Sequence, residues 1–214
     1  MGTGQRKTHW ERVWSEKDEA TTSWFQAAPA VSLDLIERSG TQPGDPVIDV
    51  GGGASRLVDH LLDGGFTDVT VLDISAAGLQ RAQRRLGERA AAVHWIEADA
   101  TMFRPRRTYR LWHDRAVFHF LLDAGDRARY LAVMDQALAS DGQAVIATFG
   151  PDGPLKCSGL DTVRYSAGEL AAELGSRWRL VEQRAEAHRT PLGREQHFGY
   201  GRFARAAMRG PETR

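Results

Sequence analysis

A glycine-rich turn between an apolar strand and a helix constrains this fold more than any other segment. The apolar run Val47–Val50 leads into Gly51–Gly53, and a helical pattern begins at Leu57. A second apolar run, Val69–Leu72, ends in Asp73 about 20 residues farther on, where a mononucleotide-binding half-fold places the carboxylate that holds a ribose. The turn and the acid together predict a site for a nucleotide-type cofactor.

The residue at the sixth position of this motif separates two classes of cofactor. Dinucleotide-binding proteins place Gly or Ala there, so that helix and strand pack closely beside the pyrophosphate. This sequence has Arg56, whose side chain would crowd that packing unless it points outward. The order acid-x-Gly-x-Gly from Asp49 to Gly53 instead favours S-adenosylmethionine, which carries no phosphate. A pyridine dinucleotide is the alternative.

Composition limits the classes of partner. The 214 residues, 42% of them hydrophobic, suffice for one buried core and favour a single domain. The 28 basic and 28 acidic residues balance, so no overall field would attract nucleic acid or an anionic membrane. Cys157 is the only cysteine, and neither a signal peptide nor a membrane-spanning run is recognisable. We expect a cytoplasmic monomer or homodimer that binds a small-molecule acceptor, without nucleic-acid or membrane partners.

Short apolar runs alternate with helical patterns, which predicts an α/β fold with a parallel sheet. Residues 1–7 and 210–214 are polar or contain glycine, and we expect frayed ends there that carry no chemistry. Apolar residues at helical spacing predict helices over 57–62, 79–86, 130–138 and 167–174. The further predicted strands are Val93–Ile96, Tyr109–His113, Ala144–Phe149, Trp178–Glu186 and Gln196–Phe203.

Three segments carry a resemblance to a known family. Asp49–Gly53, Asp73 and Glu97–Ala100 together resemble the class I S-adenosylmethionine-dependent methyltransferases over nearly the whole chain. The resemblance implies a Rossmann-like methyltransferase fold: one doubly wound, seven-stranded, mostly parallel sheet with an antiparallel last strand, whose two final strands form a hairpin. It also implies a methyltransferase domain over residues 28–206, between a lid segment over 1–27 and a flexible tail over 207–214.

A narrower similarity is to thiopurine methyltransferase-like thiol methyltransferases. It rests on Trp10-x-x-x-Trp14, on Ser23–Gln26, and on Trp112–Ala116 followed by Gly125–Arg127. Related patterns occur in methyltransferase-like proteins that modify protein lysines. The predicted function is therefore methyl transfer from S-adenosylmethionine to a small-molecule thiol or amine. Protein lysine methylation, an NAD-type oxidoreductase and a catalytically silent cofactor-binding protein are the alternatives.

Four residues are candidates for cofactor binding from their own chemistry. Gly51 and Gly53 permit positive φ and leave no side chain between backbone and ligand. Asp73 is expected to accept hydrogen bonds from the ribose hydroxyls, each such charge-assisted bond contributing about 1.5 to 3 kcal/mol. Ile74 is placed to cover the adenine, although a plain core role suits an isoleucine almost equally well.

The family resemblance implies roles for four further residues. Asp49 would orient the methionyl part of the cofactor. Asp99 would accept the adenine amino group, while the Ala100 amide would meet a ring nitrogen. Asp114, after the fourth strand, would hold the cofactor's ammonium or meet the substrate, and we count it among the catalytic candidates.

Aromatic residues and histidines complete the candidate set. Trp14 is expected to bind the cofactor from a helical lid, because aromatic faces attract a sulfonium cation; burial against the sheet is the alternative. The lid aromatics are Trp10, Trp14, Trp24 and Phe25. His119 is a candidate catalytic base because its ordinary titration range suits proton removal. His188 and His197 are weaker candidates, Cys157 is expected to line the acceptor pocket, and no His or Cys spacing predicts a metal site.

Overall fold

The computed structural model describes residues 2–206. The predicted tail over 207–214, and with it the frayed end at 210–214, lies outside these described residues. The strands are β1 Val47–Val50, β2 Val69–Asp73, β3 Val93–Glu97, β4 Tyr109–Arg115, β5 Leu138–Phe149, β6 Lys156–Cys157, β7 Leu160–Asp161, β8 Trp178–Arg189 and β9 Glu195–Arg205. The α-helices are α1 Thr3–Glu16, α2 Ala30–Arg38, α3 Leu57–Asp63, α4 Ala76–Leu86, α5 Ala124–Ala137 and α6 Ala167–Leu174.

Seven strands form one sheet in the order β3-β2-β1-β4-β5-β9-β8, and β6 pairs with β7 in a separate hairpin. The first five strands of the sheet run parallel. The last strand, β9, is antiparallel to both of its neighbours and forms a hairpin with β8. The predicted fold class and terminal hairpin are therefore confirmed. The strand order reverses beside β1 and β4, which is where α/β sheets of this kind bind ligands.

Burial on both faces explains why the central strands are continuous apolar runs. Every residue of β1 and β2 is buried, as expected for parallel strands covered by helices on each side. One apolar cluster on the sheet includes residues of α5 and α6, and a second includes residues of α2, α3 and α4. Side-chain caps begin three of the covering helices: Ser75 for α4, Asp123 for α5 and Ser166 for α6.

Two local predictions are wrong. Residues 1–7 were expected to fray, but α1 begins at Thr3 and docks through polar side chains, as described below. The predicted helix over 130–138 ends at Ala137, and β5 begins at Leu138 instead of Ala144. Helix α2 and the β6–β7 hairpin have no counterpart in the sequence prediction. Within residues 2–206, no helix combines the length and apolar character needed to cross a membrane.

Candidate active site

A pocket lies at the carboxyl ends of β1, β2 and β4, underneath α1. It has two adjacent compartments, which share Trp14, Trp24, Gly51 and Arg115. The main compartment contains six of the predicted cofactor-binding residues: Trp14, Gly51, Asp73, Ile74, Asp99 and Ala100. The side compartment adds Asp49. The fold thus brings most of the predicted binding residues together, although they come from four separate segments of sequence.

The glycine turn after β1 has a backbone that other residues rarely adopt. Gly51 has φ of 70° and Gly53 has φ of 46°, in the left-handed region that favours glycine. A Cβ at Gly51 would overlap the side chain of Val117, and a Cβ at Gly53 would lie 2.9 Å from the Trp14 indole and 3.0 Å from an Asp73 oxygen. The turn therefore depends on glycine both for its conformation and for the close approach of its neighbours.

Asp73 is buried at the end of β2, directly beside this turn. Its Oδ1 accepts a hydrogen bond of 2.8 Å from the Ser75 amide. Burial raises the pKa of Asp73 to about 7, because desolvation and the neighbouring Asp49 charge outweigh the hydrogen bonds from the Ser75 and Gly53 amides. A carboxylate in this state gains from any ligand that brings it hydroxyl donors, as a ribose does.

Asp99 is already occupied by protein donors. Thr101 donates to Oδ1 through its amide and its hydroxyl, each at 2.8 Å. Arg6 donates to Oδ2 at 2.8 Å and also bonds Asp126 at 2.7 Å. Burial alone would raise the pKa of Asp99, but the hydrogen bonds from Arg6 and Thr101 reverse the direction and hold it below its usual value. Asp99 is therefore charged, and an adenine amino group would share or replace the Arg6 donors.

Helix α1 covers the pocket and is held by polar contacts along its length. Besides the Arg6 ion pairs, Glu11 accepts a hydrogen bond of 2.7 Å from the Ser75 hydroxyl and one of 3.1 Å from the Ala77 amide, at the start of α4. Lys7 pairs with Glu97 at the surface. Trp14 packs against Gly53 and against Gly78, where a Cβ would also lie 2.9 Å from the indole. The segment predicted as a frayed end thus forms part of the lid.

Aromatic rings form the wall of the main compartment away from Asp73. Trp10 makes edge contacts with Trp24 at 5.9 Å and with Phe120 at 5.1 Å between ring centroids. Trp14 contacts Trp24 in the same way at 5.8 Å. Such geometry is the favourable one for aromatic pairs. Trp10, Trp14 and Trp24 therefore form one aromatic cluster at the pocket. The predicted role of Trp14 toward the cofactor stays a prediction.

Arg115 brings a positive charge into this apolar wall. Its Nε donates to the Tyr200 hydroxyl at 3.0 Å, and one terminal nitrogen donates to the Trp24 carbonyl at 3.0 Å. The other terminal nitrogen is buried, has no hydrogen-bond partner within residues 2–206 and lies 3.8 Å from a Glu186 oxygen, with which it forms a loose ion pair. The guanidinium also lies 4.4 Å from the centre of the Phe198 ring. One arginine nitrogen is thus available to an anionic or polar ligand group.

Asp114 is fully buried and does not line either compartment. It accepts hydrogen bonds from the Val117 amide at 2.8 Å, from the Phe118 amide at 3.1 Å and from the Tyr130 hydroxyl. Burial raises the pKa of Asp114 to about 6, against these hydrogen bonds. In this arrangement Asp114 holds the turn after β4. Its predicted role toward the cofactor stays a prediction.

His119 is likewise fully buried and lies outside the residues that line the pocket. Its Nδ1 accepts a hydrogen bond of 3.2 Å from the Phe149 amide, and Nε2 has no partner within the described residues. Burial, with a smaller effect of Arg115, lowers the pKa of His119 to about 3. The imidazole is therefore neutral at physiological pH. Its predicted role as a catalytic base stays a prediction.

The other candidates divide between the pocket and the surface. Cys157 lines the main compartment, where burial raises its thiol pKa to about 11. His188 is buried and bonds the Ser23 carbonyl, whereas His197 pairs with Glu195. Arg56 pairs with Glu19 and lines the side compartment beside the glycine turn. In residues 2–206, no group of three or more His, Cys, Asp or Glu side chains is arranged to hold a metal ion.

Sequence reasoning missed Arg6 and Arg115 as pocket residues. Arg6 lies in a segment without apolar periodicity, and its partner Asp99 is 93 positions away in the chain. Arg115 stands inside the quoted Trp112–Ala116 motif, so its place after β4 was visible. The distant ring of Phe198, which reaches the pocket from β9, gave no sequence signal at all.

Comparisons with known proteins agree with this geometry. Residues 47–142 match the family model of a methyltransferase domain. The mouse eEF1A lysine and N-terminal methyltransferase is 24% identical over 140 residues, which are 64% of this chain and 19% of that protein. The chain thus spans about a fifth of the length of this curated relative.

Solved structures share the fold at low sequence identity. One solved structure comes from work on the conversion of a disulfide bond into a thioacetal group during echinomycin biosynthesis. It has a TM-score of 0.73 and 18% sequence identity, and the match covers 94% of this chain and 92% of that chain. The 1,6-didemethyltoxoflavin-N1-methyltransferase of Burkholderia thailandensis, bound to S-adenosylhomocysteine, has a TM-score of 0.69 and 18% identity, covering 96% and 91%.

The residues present fit S-adenosylmethionine as the cofactor. Gly51 and Asp73 line the main compartment, where Asp73 would accept the ribose hydroxyls, and Asp49 Oδ2, which has no partner among the described residues, would suit an ammonium group. Residues 47–142 thus match a methyltransferase domain, and the chain has the fold of S-adenosylmethionine-dependent methyltransferases.

Proposed function

We propose that this protein transfers a methyl group from S-adenosylmethionine to a sulfur or nitrogen atom of a small, largely apolar molecule, with a thiol as the favoured acceptor. The observation that carries the proposal is the composition of the main compartment. Among the described residues that line it, the only acidic ones are Asp73 and Asp99, which we assign to the cofactor. Beyond them the wall is aromatic and contains the Arg115 guanidinium. Such a wall suits a flat apolar molecule that is neutral or anionic at its reactive atom.

The charge of this wall bears on the choice between a thiol and a lysine acceptor. A lysine ammonium must lose its proton before attack, and the described residues of the main compartment offer no carboxylate to take it other than Asp73 and Asp99. A thiol titrates near 8.5 and becomes a better nucleophile as a thiolate, which a neighbouring guanidinium stabilises. Arg115 is thus the residue that we propose to polarise the acceptor. The thiopurine methyltransferase-like motifs agree with this preference.

The bound cofactor supplies an electrophilic methyl group on a sulfonium centre. The residues of this chain act mainly by alignment. The glycine turn, Asp49 and Asp73 fix one reactant, and the aromatic wall fixes the other, which in favourable cases lowers a barrier by roughly 7 to 11 kcal/mol. Helix α1 excludes water from the pocket by covering it.

The similar proteins support small-molecule and protein acceptors to different degrees. The two solved structures come from work on echinomycin biosynthesis and from an N1-methyltransferase bound to 1,6-didemethyltoxoflavin. The mouse relative is a methyltransferase of eEF1A lysine and N-terminus. Protein lysine methylation is therefore our second candidate. The enclosed pocket under α1 favours the first, because a protein side chain would have to enter with its backbone outside the lid.

A direct assay tests the proposal. We would incubate the purified protein with methyl-labelled S-adenosylmethionine and panels of aromatic thiols and aromatic amines, and detect methylated products by mass spectrometry. We expect turnover with an apolar thiol. Transfer to proteins of a cell lysate with none to small acceptors would favour lysine methylation. Binding of S-adenosylhomocysteine without any turnover would point to a silent protein, and binding of NADH instead would overturn the cofactor.

The role of Arg115 has its own test. The variant R115M should lower kcat/KM for thiols about tenfold or more and move the pH profile to higher pH, because the thiolate loses its stabilising charge. R115K retains a charge and should keep part of the activity. An unchanged pH profile in R115M would exclude Arg115 as the polarising group.

A further inference from the structure

Three buried polar side chains, Ser32, His113 and Asp49, are linked by hydrogen bonds and line the side compartment. His113 on β4 lies in register with Asp49 on β1. Its Nδ1 is 2.7 Å from Asp49 Oδ1, and its Nε2 is 2.9 Å from the hydroxyl of Ser32 on α2. All three residues are at most 3% exposed. Because the carboxylate can only accept, Nδ1 carries the proton toward Asp49.

The hydrogen bond from His113 occupies Oδ1 of Asp49, and Oδ2 has no partner among the described residues. Asp49 Oδ2 is buried and accepts no hydrogen bond from the described residues. Asp49, His113 and Ser32 all line the side compartment, together with Gly51 and Gly52 of the turn. A buried carboxylate oxygen without a donor is costly unless a ligand supplies one. The oxygen is therefore suited to a cationic donor bound in this compartment.

We propose that His113, itself fixed by Ser32, is a positioning residue that holds the Asp49 carboxylate so that Oδ2 receives the ammonium of the cofactor's methionyl part. His113 acts through its Nδ1 hydrogen bond and touches no reacting atom. Without this bond the carboxylate rotates about its side-chain torsions, and Oδ2 loses its fixed direction. The inference rests on the cofactor of the proposed function and is independent of the acceptor.

Two isosteric variants separate the two hydrogen bonds of His113. In H113N the amide nitrogen lies near the position of Nδ1 and can still donate to Asp49. In H113Q the amide lies near the position of Nε2, so the contact with Ser32 is kept and the one with Asp49 is lost. The proposal therefore predicts that H113N binds S-adenosylhomocysteine more tightly than H113Q does. If His113 served only to fill space, the larger Gln would be the better replacement.

Two ligands then distinguish positioning from general loss of structure. S-Adenosylhomocysteine carries the amino-acid part, and 5′-methylthioadenosine lacks it. By isothermal titration calorimetry we expect H113N to keep the Kd of S-adenosylhomocysteine within about threefold and H113Q to weaken it tenfold or more. Neither variant should change the Kd of 5′-methylthioadenosine more than about twofold. The variant D49N serves as the reference for a protein that no longer gains affinity from the amino-acid part of S-adenosylhomocysteine.

The outcomes are decisive in either direction. Equal losses for both ligands, or H113Q binding as tightly as H113N, would overturn the proposal. Should H113Q fail to fold by circular dichroism, S32A replaces it: a loss confined to S-adenosylhomocysteine supports positioning, and unchanged or parallel affinities contradict it. Failure of wild-type protein to bind either ligand would instead reject the cofactor, which keeps the two failures distinct.

Discussion

At the scale of single residues, we expect Asp73 to set the pH dependence of cofactor binding. Its pKa of about 7 means that a proton must leave before the carboxylate can accept from two ribose hydroxyls. We expect the affinity for S-adenosylhomocysteine to fall by up to about tenfold per pH unit below pH 7 and to be flat above pH 8. Calorimetry from pH 5.5 to 8.5 measures this. In D73N the binding should be weaker and its pH dependence much shallower, and an equally steep profile there would assign the proton to another group.

The raised pKa of Asp73 has the opposite effect on the stability of the free protein, which it lowers as the pH rises. Because the folded pKa of Asp73 lies above the ordinary value of 3.8, the folded state holds the proton more tightly than the unfolded chain. Its contribution to the free energy of unfolding is full below about pH 4 and is lost as the pH rises to about 7. Urea unfolding at pH 5 and pH 7.5 should therefore show a larger drop for wild type than for D73N. Equal drops would contradict the shift.

Residue chemistry was readable in the sequence where it depends on neighbours along the chain. Gly51, Gly53 and Asp73 could be predicted because each lies at the end of an apolar run, and the fold places all three at the carboxyl edge of the sheet. Asp114 and His119 were selected by the same logic, yet their side chains turn into the core. Whether a residue after a strand points to the pocket depends on the packing of the following turn, which local sequence does not encode.

At the level of elements, we expect α1 to oppose free exchange of the cofactor, because it covers the pocket. The Arg6 ion pairs join α1 to Asp99 and Asp126 in a buried setting. Replacing Arg6 by Met should raise the dissociation rate of S-adenosylhomocysteine about tenfold or more, since the closed position of α1 loses both pairs. Surface plasmon resonance measures the rate.

Lys7 provides the matched control for this prediction. Its pair with Glu97 is exposed, and exposed ion pairs contribute about 0 to 1 kcal/mol. K7M should therefore change the dissociation rate less than about threefold. Equal effects of R6M and K7M would show that the helix responds to its charge in general and not to the buried pairs.

Strands and helices could be predicted from the sequence where their apolar residues recur at a regular spacing. The first four predicted strands agree closely with β1 to β4, and the terminal hairpin was also foreseen. Helix α1 was missed in its first half because residues 3–7 have no apolar face. Arg6 anchors this half and Glu11 anchors the following turn, and the partners of both lie far along the chain. Long-range ion pairs leave no periodic pattern for sequence reasoning to detect.

The whole molecule should behave as a single cooperative unit. The sheet is continuous from β3 to β8, and α1 is tied to it through α4 and the loop after β3. A ligand at about 100 times its Kd stabilises a protein by about 2.7 kcal/mol. For a chain of this size S-adenosylhomocysteine should therefore raise Tm by roughly 5 to 10 °C. Calorimetry should show one transition that shifts entirely.

Two transitions would alter the domain boundaries predicted from the sequence. If a minor transition stayed fixed on addition of ligand while the main one moved, the segment over residues 1–27 would be a separate unit and not an integral part of the binding domain. NADH at the same concentration is the control, and it should leave Tm unchanged.

The aromatic cluster under α1 also gives the protein an intrinsic optical reporter. Trp10 and Trp14 each contact Trp24 through ring edges at the pocket, while Trp112 and Trp178 are buried in the core on the sheet. Any displacement of α1 changes the surroundings of the first group and leaves the second in place. Intrinsic emission and its quenching by iodide would thus follow lid motion in real time, without the attachment of a dye.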